Sequence, residues 1–110
     1  MVILHSFFDL QDHCTAEQFS EAINALATHL VEKNLLLSHQ FMERQAHDGY
    51  NADAPDSHFY HAMKFDDLQQ AIQCWSYIEE DSEPIRTLHG RIKTSVTNTS
   101  FSLYRDYSKE

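Results

Sequence analysis

Apolar residues fall into blocks along the chain, and the spacing inside each block changes from one to the next. Val2 to Leu10 is aliphatic and aromatic, holds no helix breaker and stops at the polar pair Gln11-Asp12, which predicts a strand. Thr15 followed by Gln18 has the spacing of a capping box and opens a helix. On it Ala16, Phe19, Ala22, Ile23, Leu26 and Leu30 recur at three- and four-residue steps. That helix should end near Lys33-Asn34, where Asn accepts a left-handed cap. Leu35 to Gln45 reads as a second strand, His47 to Ser57 as a polar connection carrying Gly49 and Pro55, and Phe59 to Phe65 as a third strand. Asp67 and Gln70 repeat the capping signal ahead of a second stripe of Leu68, Ala71, Ile72, Trp75 and Ile78. After a break at Glu80 to Glu83, Ser82 before Pro84 marks a short helix with one apolar edge of Ile85, Leu88 and Ile92. Ser95 to Tyr107 then reads as the last strand.

The order β-α-β-β-α-β predicts an α+β fold: a ferredoxin-like βαββαβ sandwich, a four-stranded antiparallel sheet with its helices on one face. Strand side chains alternate between faces, so each strand divides into two sets. The more apolar sets predict a core of Val2, Leu4, Phe8, Leu37, Phe41, Phe59, Met63, Phe65, Phe101 and Leu103. The other face then carries Ile3, His5 and Phe7 with Ser38, Gln40 and Met42. Tyr60, Ala62 and Lys64 join them, as do Asn98, Ser100, Ser102 and Tyr104. Antiparallel sheets covered on one side usually show water a polar face. Here Ile3, Phe7 and Met42 would each gain about 1.5–3 kcal/mol on burial, so a cover is expected. A second copy is the economical one, and two such sheets face to face make a dimeric α/β barrel enclosing a small-molecule cavity.

At 110 residues the whole chain, 1–110, is expected to be one domain. Acidic residues outnumber Lys and Arg 17 to 8 and no basic run occurs, which speaks against nucleic acid as a partner. No apolar run approaches the roughly 20 residues of a membrane span, and Met1 to Leu10, with His5 and Asp9, does not read as a signal peptide. A cytoplasmic protein with no membrane partner is the expectation, and Cys14 and Cys74 are read as reduced thiols. With only Gly49 and Gly90, neither a P-loop nor a dinucleotide fingerprint exists, and no G-x-S-x-G elbow is present.

The layout, the size, the segment FFDL from Phe7 to Leu10 ahead of a capped helix, and the closing segment SLYRDY from Ser102 to Tyr107 carry a resemblance. Together they look like a small, uncharacterised bacterial protein family within the dimeric α/β-barrel superfamily. That superfamily includes cofactor-independent monooxygenases, isomerases and haem-degrading enzymes, as well as proteins with no assigned reaction. The resemblance therefore implies a homodimer that binds small molecules, with cofactor-independent oxidation or isomerisation of an aromatic or carbonyl compound as one activity. A non-enzymatic structural or regulatory dimer is the alternative, with a His-based metal-binding protein the third reading, and the residues leave open whether the protein is an enzyme.

On the open face, His5, Tyr60 and Tyr104 are the candidates for proton transfer, with Phe7, Gln40, Met42 and Asn98 as ligand contacts. The bland reading of the same residues is a dimer seam, since Tyr and His pair an apolar body with a polar tip. Eight histidines invite a metal reading. Yet alternation sends His5 to the open face and His39 and His61 toward the helices, and no zinc spacing is present, so no metal or cofactor is assigned. Trp75 is read as core packing, and Arg105 and Asp106 as contacts with a neighbouring segment.

Overall fold

The computed structural model describes residues 1–50 and 57–108. Pro55 lies outside the described residues. Elements run β1 (Val2–Leu10), α1 (Ala16–Glu32), β2 (Ser38–Glu43), β3 (Phe59–Phe65), α2 (Leu68–Glu79), α3 (Ile85–Lys93) and β4 (Val96–Arg105). The strands form one sheet in the order β2-β3-β1-β4, every neighbouring pair antiparallel. This is the ferredoxin-like order, with a third helix placed before the last strand.

Capping sets the helix starts. The Thr15 hydroxyl accepts the Gln18 N–H at 3.1 Å while the Gln18 side-chain oxygen Oε1 accepts the Thr15 N–H at 3.0 Å, a reciprocal box. Lys33 caps the far end and Asn34 takes φ 59°, the left-handed turn that stops the helix. At α2 the box is not reciprocal. Asp67 accepts the Gln70 N–H, but the Gln70 side chain accepts the Asp66 N–H at 2.7 Å and donates to the Asn34 carbonyl at 3.2 Å. Gln70 is therefore buried and ties α2 to the end of α1. The start of α3 is held by Glu83 rather than Ser82. Its carboxylate accepts both the hydroxyl and the backbone N–H of Thr87, and those bonds, the side-chain one first, lower its pKa.

Phe8, Phe19, Ile23, Leu26, Leu30, Leu36, Phe65, Ala71, Cys74 and Ile85 form the buried core. Phe41 stacks between Phe8, Phe19 and Phe59, with ring centroids 5.1–6.3 Å apart. Burial pushes the Cys74 thiol up to about 11, leaving it an inert core group.

Three residues assigned to the core lie outside it. Leu37 is 44% exposed because the chain is still turning before β2, and Leu36 takes the buried position. Phe101 and Leu103 do face the helix side, opposite Ser6 and Leu4, yet remain 65% and 44% exposed. They sit on an edge strand over which no helix closes. In α2 the buried stripe is Gln70, Ala71 and Cys74, so Leu68 and Ile72 are left half-exposed. Strands β2 and β4 are also shorter than the apolar runs that contain them.

Candidate functional site

The register confirms the division into faces. His5 pairs with Ala62 and Ser102, Phe7 with Tyr60 and Ser100, and Ile3 with Lys64 and Tyr104, while Met42 pairs with Tyr60 and Gln40 with Ala62. Directly opposed residues share a face, so these side chains form one continuous surface away from the helices. Tyr60 and Tyr104 occupy diagonal positions on either side of His5. The Tyr60 hydroxyl lies 2.6 Å from His5 Nδ1, and the Tyr104 ring meets the imidazole edge-on with centroids 5.1 Å apart. Phe7 packs on the other side of Tyr60 at 5.2 Å. Burial raises the Tyr60 pKa, so the phenol keeps its proton and can donate it to the imidazole nitrogen.

His5, Phe7, Tyr60 and Tyr104 are thus brought together, whereas Gln40 and Met42 stand beside them on the edge strand β2, both exposed. Asn98 sits apart at the sheet's end. There Asn98 and Thr99 oppose the single residue Phe8 in a bulge, with Asn98 at φ 53°. Its amide donates to Asp9 at 3.3 Å, and the other Asp9 oxygen accepts the His58 N–H at 2.8 Å, so Asp9 ties β4 to the entry of β3. Asp106 forms an ion pair with the Met1 ammonium at 3.4 Å, a contact between the chain's first residue and the end of β4.

A partly open cavity lies on the other side of the sheet. The cavity, of about 410 Å³, separates the helix-side face from the helices, lined by Leu4, Phe8, Phe19, Leu26, Met63, Trp75, Ile92 and other residues. It forms where α2 and α3 stand off β1 and β4, and the exposed Thr99, Phe101 and Lys93 stand at its rim. Few polar groups reach it: Ser6 and His61 from the sheet, Thr99 from β4, and His89 and Lys93 from α3. Trp75, read as core packing, lies edge-on to Phe65 and also lines this cavity.

His61 is 4% exposed and lies 3.0 Å from the Nδ1 of His39 through its own Nε2. Burial, then the neighbouring His39, pushes its pKa down to about 4, and burial lowers His39 as well. His61 is therefore a neutral imidazole at pH 7, able to accept a hydrogen bond. Alternation placed both histidines on the helix side, but their pairing depends on the β2–β3 register, in which His39 lies opposite Met63 and Phe41 opposite His61. No residue spacing between β2 and β3 encodes that register. Among the described residues no three His, Cys, Asp or Glu side chains gather in a metal-binding group. No helix among them is long and apolar enough to cross a membrane.

Residues 1–110 match a model described as a family of unknown function, DUF6614. No curated protein matches the sequence. Several solved structures share the fold. The Arabidopsis thaliana protein At3g17210 is 9% identical with a TM-score of 0.76, over 100% of this chain and 99% of that one. SnoaB of Streptomyces nogalater, described as a cofactor-independent oxygenase, is 8% identical with a TM-score of 0.69, over 98% and 94%. A Thermobifida fusca protein described as dimeric, ferredoxin-like and of unknown function is 14% identical with a TM-score of 0.59, over 94% and 88%. At such identities the likeness is one of fold.

Proposed function

This chain belongs to the DUF6614 family of unknown function, and we propose that it is a homodimer that binds a flat, largely apolar small molecule in the cavity between its sheet and helices. The observation that carries this reading is the cavity itself: about 410 Å³, apolar over most of its lining, with a neutral imidazole at its floor. That volume suits a compound of two or three fused rings, and ligand sites of this kind combine apolar walls with a few fixed polar groups. His61, held neutral by burial, is the hydrogen-bond acceptor such a site would use to orient a ligand hydroxyl. Cofactor-independent oxidation or isomerisation of the bound compound is the activity proposed; its support is the fold shared with SnoaB, described as a cofactor-independent oxygenase, and the polar group that orients a ligand at the floor.

The dimer reading rests on the half-buried Ile3, Phe7 and Tyr60 of the open face and on the dimeric T. fusca structure. It leaves a second site reading, favoured by the 2.6 Å contact between His5 and Tyr60. In that reading His5, Tyr60 and Tyr104 act on a ligand held against Phe7, Gln40 and Met42 under the partner's sheet. Trp75, the chain's single tryptophan, separates the two. A bicyclic aromatic bound in the helix-side cavity should quench or shift Trp75 fluorescence, and Ile92→Phe, which fills the cavity, should weaken binding about tenfold or more. Saturable binding with neither a Trp75 response nor an effect of Ile92→Phe would sink the cavity reading and favour the open face.

A further inference from the structure

We propose that the cavity selects ligands bearing one hydroxyl, phenolic or enolic, which donates to His61 Nδ1 and accepts from the Ser6 hydroxyl, with His39 positioning the His61 ring. The inference rests on the cavity reading above and adds the ligand's chemical class.

His61 and Ser6 are direct cross-strand partners on β3 and β1, so their side chains stand side by side on the cavity floor. Ser6 is 8% exposed and His61 4%. Only His61 Nε2 is engaged, by His39; neither His61 Nδ1 nor the Ser6 hydroxyl has a hydrogen-bond partner among the described residues. Among the described residues, no buried side-chain nitrogen or oxygen is left both sealed and unpaired. Those two atoms therefore meet open space, which at two residues lining a cavity is the cavity. Polar atoms at such sites are ordinarily satisfied, and a ligand that satisfies neither of them would leave both desolvated.

The tautomer follows from the pair. Neutral imidazole favours the Nε2–H form. With both rings in that form, His61 Nε2–H donates to His39 Nδ1 and His61 Nδ1 keeps a free lone pair. The reverse hydrogen bond would force both rings into the less favoured Nδ1–H form. His61 then offers the cavity an acceptor, and Ser6 beside it a donor. A hydroxyl complements both, whereas an ether can answer only Ser6. His39, half-buried on the edge strand β2, holds the tautomer without touching the ligand.

The probes are 7-hydroxycoumarin and 7-methoxycoumarin, titrated into the dimer at pH 6, where the hydroxyl is un-ionised, with Trp75 fluorescence as the readout. Wild-type protein should prefer the hydroxy compound about five- to tenfold, the worth of one net hydrogen bond. His61→Phe should abolish the preference while keeping the affinity for the methoxy compound, which also shows that the variant is folded. His39→Phe should reduce the preference and leave methoxy binding unchanged, a split that general loosening of the fold would not produce. Equal binding of both probes to the wild type would overturn this inference and leave the cavity reading standing, and so would a preference that survives His61→Phe. Binding of neither probe would overturn both.

Discussion

The two faces of the sheet carry the same kind of hydrogen-bonded histidine in opposite surroundings. Ser6 pairs with His61 and, one step along, His5 pairs with Ala62, so a shift of one residue sends an imidazole to the other side. On the helix side, His61 is held neutral under α2 and α3 and bonded to a second imidazole. On the open side, His5 is half-exposed, bonded to a phenol and ringed by aromatics. One arrangement supplies a fixed acceptor inside a chain's own cavity. The other has the amphipathic character of a seam between chains, so the cavity and the proposed dimer contact draw on alternate residues of the same strands.

That contrast breaks most visibly in the apolar residues. Phe19→Ala, at 1% exposure beneath the helices, should cost about 3–5 kcal/mol in denaturant unfolding at every protein concentration. Phe7→Ala, on the open face, should cost less, and its cost should grow with protein concentration because the dimer supplies much of its burial. If the two variants lost the same stability irrespective of concentration, the open face would belong to each chain's own core and the dimer reading would fall.

The sequence made the two faces legible because alternation needs only one strand at a time. Each strand's open-face set stands as read, from Ile3, His5 and Phe7 to Tyr104, with Asn98 drawn aside by the bulge. Coverage was not legible, since parity says which face a residue takes and nothing about whether a helix lies over it. Phe101 and Leu103 show this, as do Leu68 and Ile72, whose helix is rotated by the burial of Gln70. The cavity was out of reach for the same reason: it is set by how far α2 and α3 stand from the sheet, and no residue spacing encodes that distance.

Acidification sharpens the comparison next. His61 binds its proton far less readily folded than unfolded, so the unfolded state takes up more protons as pH falls below about 6.5, and stability drops until the folded pKa of about 4 is reached. Between pH 7 and 5 this should remove about 2 kcal/mol, and His61→Phe should flatten that part of the profile. An unchanged slope in the variant would show that the burial of His61 is not what the fold pays for at acid pH. The smallest effect belongs to the open face. Tyr60→Phe removes the donor to His5 and should cost about 1 kcal/mol, read by thermal unfolding, with little change in cavity binding.

The most direct test of the central claim is a two-dimensional NMR titration of nitrogen-15-labelled protein with 7-methoxycoumarin. The Trp75 indole N–H signal, unique in this chain, should shift and saturate while the side-chain amide of Gln40, on the open face and away from the cavity lining, stays in place. A saturating shift of the Gln40 side-chain amide with an unmoved Trp75 signal would contradict the account and place the ligand on the other side of the sheet.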